Sequence, residues 1–159
     1  MKKKLTEKEQ RQRLTKAAKS VADAEAALAS PDDREVYLQF MARYSLCELG
    51  YKSILADHIK DSGKKPSANL TIEYKQVPAV LKRVGLEIDE KTVEEVFSAT
   101  RKIGERHARG LRNSLSHSPN SAAINELRQK QNKINTAMDT FLSALRNGAM
   151  DNNAKGGQA

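Results

Sequence analysis

The chain has 159 residues, 38% hydrophobic and 30% charged, the composition expected of one soluble globular domain with a hydrophobic core. Lysine and arginine outnumber the acids 28 to 20, and the net charge of +8 favours a polyanionic partner, nucleic acid first. A single cysteine excludes an intramolecular disulfide, no apolar run reaches the ~18 residues of a membrane span, and Met1-Lys2-Lys3-Lys4 leads into a polar stretch rather than the apolar core of a secretion signal, so a reducing, cytoplasmic setting without membrane contact is expected.

Residues 5–29 read as a basic helix. Leu14, Ala17, Ala18, Val21, Ala24 and Leu28 form a thin apolar stripe opposite lysines and arginines, which suits either packing on a bundle or a basic arm. Ser30-Pro31-Asp32-Asp33 breaks this helix and supplies start signals for the next, over 33–60. There Tyr37, Phe40, Tyr44, Cys47, Tyr51, Ile54 and His58 recur at spacings of three and four and predict one long core face, with Gly50 allowing a close helix contact. A turn-rich loop follows at 61–69. A short helix within 74–83 is expected, with Pro78 in its first turn and Gly85 at its end.

Asp89 caps a helix expected to run unbroken over 90–116, with Val93, Phe97, Thr100, Gly104, His107 and Leu111 along its inner stripe and Ile103 beside them. Ser118-Pro119-Asn120 ends it. The last helix is expected over 121–146, with Gly148 as its stop and a disordered tail beyond. The domain reading is therefore a basic N-terminal helix at 1–30, a helical bundle at 31–147 and a tail at 148–159. The fold class is all-α, an antiparallel bundle of four to five helices. With four Tyr, three Phe and no Trp, its core is expected to rest on Leu, Ile, Val and Ala.

Most of the usual chemistry is missing. There is no glycine-rich phosphate loop and no Cys or His cluster at metal-ligand spacing, so neither a cofactor nor a metal site is expected. Cys47, His58 and His107 all lie on apolar stripes and read as packed residues. What remains is Arg101, Lys102, Arg106, Arg109 and Arg112, concentrated along one segment that ends in Arg112-Asn113-Ser114-Leu115-Ser116-His117. Positions five apart on a helix are rotated by about 140°, so Arg112 and His117 cannot face one ligand from a continuous helix, whereas Asn113 and His117 can. Arg112 and His117 also suit a helix C-terminus on electrostatic grounds alone.

This segment resembles the signature of the HEPN superfamily: an arginine, a polar residue, several variable positions and a histidine, near the junction of the last two helices of a bundle. Arg112, Asn113 and His117 match it, and the likeness spans residues 33–146. The resemblance implies a HEPN-like fold and a homodimer in which two motifs line one composite cleft. It further implies a metal-independent endoribonuclease with Arg112, Asn113 and His117 as catalytic residues; Arg106 and Arg109, on the same basic segment, read either as RNA-backbone contacts or as a solvated face. In such chemistry the RNA 2′-OH attacks phosphorus, His moves the proton and Arg counters the developing charge, leaving a 2′,3′-cyclic phosphate and a 5′-hydroxyl. DNA, lacking the 2′-OH, would bind without reacting. A toxin or antiviral role, and an antitoxin or nucleotidyltransferase partner, follow by the same analogy; so does the alternative of a non-catalytic HEPN-like module that only binds RNA or pairs with a nucleotidyltransferase.

Overall fold

A computed structural model describes residues 5–156, with side chains through Asp151. Its six helices are α1 (Glu7–Ala27), α2 (Pro31–Asp61), α3 (Val77–Arg83), α4 (Glu90–Phe97), α5 (Ala108–His117) and α6 (Ser121–Gly156), with one 3-10 turn at Tyr74–Gln76 leading into α3. No strand occurs among the described residues, so the all-α expectation holds.

Local chemistry sets most helix starts. Thr6 and Glu9 form a reciprocal capping box on α1: the Glu9 backbone N–H donates to Thr6 Oγ1 at 3.3 Å, and the Thr6 N–H donates to Glu9 Oε2 at 2.8 Å. Ser30 caps α2 with Pro31 in its first turn, Asp89 accepts from the Thr92 N–H at 2.9 Å to cap α4, and Asn120 does the same for α6 through Ala123 at 2.9 Å. The break at Ser118-Pro119 falls where expected, with Ser118 extended after α5.

Three rods make the bundle. Arg43 pairs with Asp139 at 2.9 Å and Asp33 pairs with Arg128, so α2 and α6 run in the same direction. Glu95 of α4 pairs with Lys133, and Arg106, just ahead of α5, pairs with Glu126, so α4 and then α5 descend along α6. Successive rods are thus antiparallel. Gly50 lets α2 and α6 approach: a Cβ there would lie 2.7 Å from Leu145 Cδ1.

The core face of α2 is the expected one, with Phe40, Tyr44, Cys47, Tyr51 and Leu55 buried. As expected, most of the core is Leu, Ile, Val and Ala, and the aromatics add to it. All three phenylalanines are buried, and Phe97 stacks between Tyr51 (centroids 5.2 Å apart) and Phe141 (5.0 Å, edge to face). The few aromatics are concentrated at the centre, because each removes more apolar surface from water than any aliphatic residue could there.

Two expected boundaries change. The predicted helix over 90–116 is interrupted at 98–107. Gly104 there has φ +87°, outside the helical region, and Ile103, assigned to the inner stripe, is 69% exposed. At the C-terminus, α6 continues through Gly148, the expected stop, to Gly156; Gly148 packs so tightly under Leu86 that a Cβ would come within 2.6 Å of its Cδ2. Residues 157–159 of the expected tail lie outside the described residues.

Helix α1 is an arm. Its end is anchored by buried Ala27 and by Arg34, whose Nε donates to the Leu28 carbonyl at 3.1 Å. Residues 10–23 are all exposed.

Candidate functional site

The interruption at 98–107 builds a groove. The segment leaves α4 with Ser98 extended and returns to α5 at His107, and its Thr100 carbonyl folds over Gly110. A Cβ on Gly110 would lie 2.4 Å from that backbone oxygen, so only glycine admits this approach. From α6, Glu126 holds the segment in place. Its carboxylate accepts from the Arg106 backbone N–H at 2.9 Å and from Arg106 Nε at 2.8 Å, and Lys130 joins it at 3.1 Å while donating to the Arg106 carbonyl at 2.8 Å. Burial pushes the Glu126 carboxyl up, but the hydrogen bonds from Arg106, the loop backbone and Lys130 outweigh it and hold the group below the usual carboxylate range.

The resulting groove, of about 600 Å³, is walled by Arg101, Arg109, Asn113, Ser114 and His117, with Arg106 at its base and Asn120 at its rim. No carboxylate lines it. Phosphate recognition needs such a wall, with fixed cations and amide donors and no competing anion.

The expected site residues divide. Asn113 and His117, one helical turn apart, share the groove wall, as their spacing requires. His117 is exposed and available to a ligand. Arg109 is half-buried, its Nη1 3.4 Å from the Phe97 carbonyl, and it also faces the groove. Arg106 is different from what was expected of an RNA-backbone contact. Its side chain is 6% exposed and committed to Glu126, with Nη1 donating to Ser114 Oγ at 2.9 Å. It shapes the groove floor and presents little free charge.

Arg112 does not line the groove. Helix α5 stays regular through His117, so Arg112 projects toward α2, where Nη2 meets Glu48 Oε2 at 3.0 Å and the guanidinium lies 5.8 Å from the centre of the Tyr44 ring. Its Nη1 donates to Asn113 Oδ1 at 3.0 Å. That bond fixes the carboxamide and leaves Nδ2 as the Asn113 donor. Within one chain, then, the motif is a pair in the groove with an arginine braced behind it.

The other two histidines are occupied elsewhere. His107 Nδ1 lies 3.1 Å from Glu95, which also pairs with Lys133, and His58 Nδ1 lies 3.4 Å from Arg83 Nη1. His107 is largely enclosed, as expected, whereas His58 makes an exposed contact and stands outside the core. Burial pushes the Cys47 thiol up to about 12, which fits a core residue and not a nucleophile. Among the described residues no group of three His, Cys, Asp or Glu side chains is placed to hold a metal ion, and no helix is long and apolar enough to cross a membrane.

Sequence reasoning missed Glu126, Glu48 and the groove itself. Glu126 lies 20 residues beyond Arg106 on another helix, and nothing local marks it. Gly110 was a readable signal, because a glycine inside a helix costs about 1 kcal/mol relative to alanine and so points to a packing requirement. No protein-family model, curated protein or solved structure matches the chain.

Proposed function

We propose that the protein is a HEPN-like, metal-independent endoribonuclease that binds a phosphodiester in the α5 groove and works as a homodimer. The observation that carries this reading is the groove wall: His117 and Asn113 beside Arg101 and Arg109, with no carboxylate among them. His117 accepts the proton of the 2′-OH as its oxygen bonds to phosphorus, or returns a proton to the 5′-oxygen as the P–O5′ bond breaks. Asn113 Nδ2 and the two arginines hold the non-bridging oxygens as charge develops. Arg112 is a positioning residue, holding Asn113 from behind. A cytoplasmic setting and a toxin or antiviral role belong to the same proposal, as does control by an antitoxin or nucleotidyltransferase partner.

The test uses purified protein and single-stranded RNA in EDTA. Wild type is expected to yield 2′,3′-cyclic phosphate ends. His117→Ala should lower the rate by a factor on the order of 10² to 10⁴, the usual contribution of a general acid or base. Equal cleavage by wild type and His117→Ala would refute the catalytic role.

One observation favours a second reading, RNA binding without cleavage: Arg112 is engaged by Glu48 and stands outside the groove of its own chain. Tight RNA binding by a wild type that leaves RNA intact would select it.

A further inference from the structure

The groove accounts for Arg101 and Arg109 but not for the other concentration of positive charge, helix α1. Among the described residues, ten lysines and arginines of the bundle form ion pairs, while Lys8, Arg11, Arg13, Lys16 and Lys19 of α1 form none. All five are exposed. Lys8, Arg11, Lys16 and Lys19 share one open face with Gln12 and Thr15, and Glu7 is the one acid on it. Over this stretch they form a cationic row on the order of 16 Å long.

The arm is also well placed. It joins α2 beside Asp33, which pairs with Arg128 near the start of α6. His117 and Asn120 flank that same start of α6, so the base of the arm and the groove lie at one end of the bundle, with the cationic row further out along α1.

We propose that α1 is a second RNA-binding surface, an arm that holds single-stranded RNA extending beyond the α5 groove. This rests on the reading of RNA as the ligand of the groove and adds where a longer strand goes. A basic amphipathic helix could also meet an anionic membrane, but the apolar face of α1 offers only Leu14 and Val21 above alanine size along its exposed length. Interfacial helices need bulkier apolar anchors. A cationic row that forms no ion pairs and has one acid, Glu7, beside it suits a phosphate backbone, where each contact releases a condensed counterion.

The experiment uses the full chain and the fourfold variant Lys8→Gln, Arg11→Gln, Lys16→Gln, Lys19→Gln, whose exposed positions leave the core untouched. Probes are 2′-O-methyl oligonucleotides, which cannot be cleaved, of about 6 and about 25 nucleotides. Anisotropy is measured across salt concentrations. The variant is expected to bind the long probe roughly tenfold more weakly, with a slope of log affinity against log salt shallower by about 2 to 3, and to bind the short probe as wild type does. Unchanged binding of the long probe overturns the proposal, whether or not the protein cleaves RNA. Loss of binding to phosphatidylserine vesicles, or of self-association, with RNA binding intact overturns it in favour of a membrane or a second copy. If wild type cleaves nothing yet long-probe binding still depends on α1, the arm stands and the nuclease reading falls.

Discussion

Arg106 and Arg109 carry the same charge three positions apart, and burial separates what each can do. Arg106 is almost fully enclosed, and removing it leaves buried Glu126 with Lys130 as its one remaining cation. Breaking a buried pair from one side costs about 3–5 kcal/mol when the charge left behind is uncompensated; with Lys130 still in place, Arg106→Ala is expected to lower stability by about 2–3 kcal/mol in urea denaturation. Arg109 makes only a long bond to the Phe97 carbonyl and faces the groove. Arg109→Ala should change stability by less than about 1 kcal/mol while weakening RNA binding. Equal losses of stability in the two variants would show that Arg109 is structural as well. The sequence offered no basis for this division. Both residues read alike, as RNA contacts or a solvated face, because what separates them is a glutamate on another helix.

At the scale of elements, α2 and α6 were legible because period and caps agree over many turns, and Ser118-Pro119-Asn120 marked its break through local backbone chemistry. The segment 98–107 was not. Its residues keep an approximate helical period, but Gly104 adopts a left-handed backbone, Gly110 admits the Thr100 carbonyl, and Glu126 takes the Arg106 amide that a continuous helix would have bonded internally. Tertiary contacts of this kind override periodicity. They also make the groove sensitive to acid. Burial raises the Glu126 and Glu95 carboxyls, but their basic partners more than reverse this, so both titrate below the 4.5 of an unperturbed glutamate. A carboxylate depressed in the folded state stabilises fully above its unfolded pKa, and that contribution is lost as pH falls through the folded value. The gap in melting temperature between wild type and Glu126→Gln should therefore be constant from about pH 7 to about pH 5 and shrink below about pH 4.5. A gap that stays constant into strong acid would show that Glu126 does not act through its charge.

At the scale of the molecule, the proposed reaction needs a base for the 2′-OH and an acid for the 5′-oxygen in the same step. The groove holds one histidine, His117; His107 is bound to Glu95 and His58 sits beside Arg83. A second copy brings a second His117, and a two-fold cleft would place the two in complementary roles. This predicts a specific response to mixing. When equal amounts of wild type and His117→Ala are allowed to exchange subunits, about a quarter of the dimers keep both histidines, so activity should fall to about a quarter of that of the same total amount of wild type. Grooves acting independently would keep about half, since every wild-type chain would retain its own site. A residual of one half would confine the chemistry to a single chain. The missing acid would then have to be water or a neighbouring group such as Ser114, which lines the groove but whose hydroxyl is already engaged by Arg106.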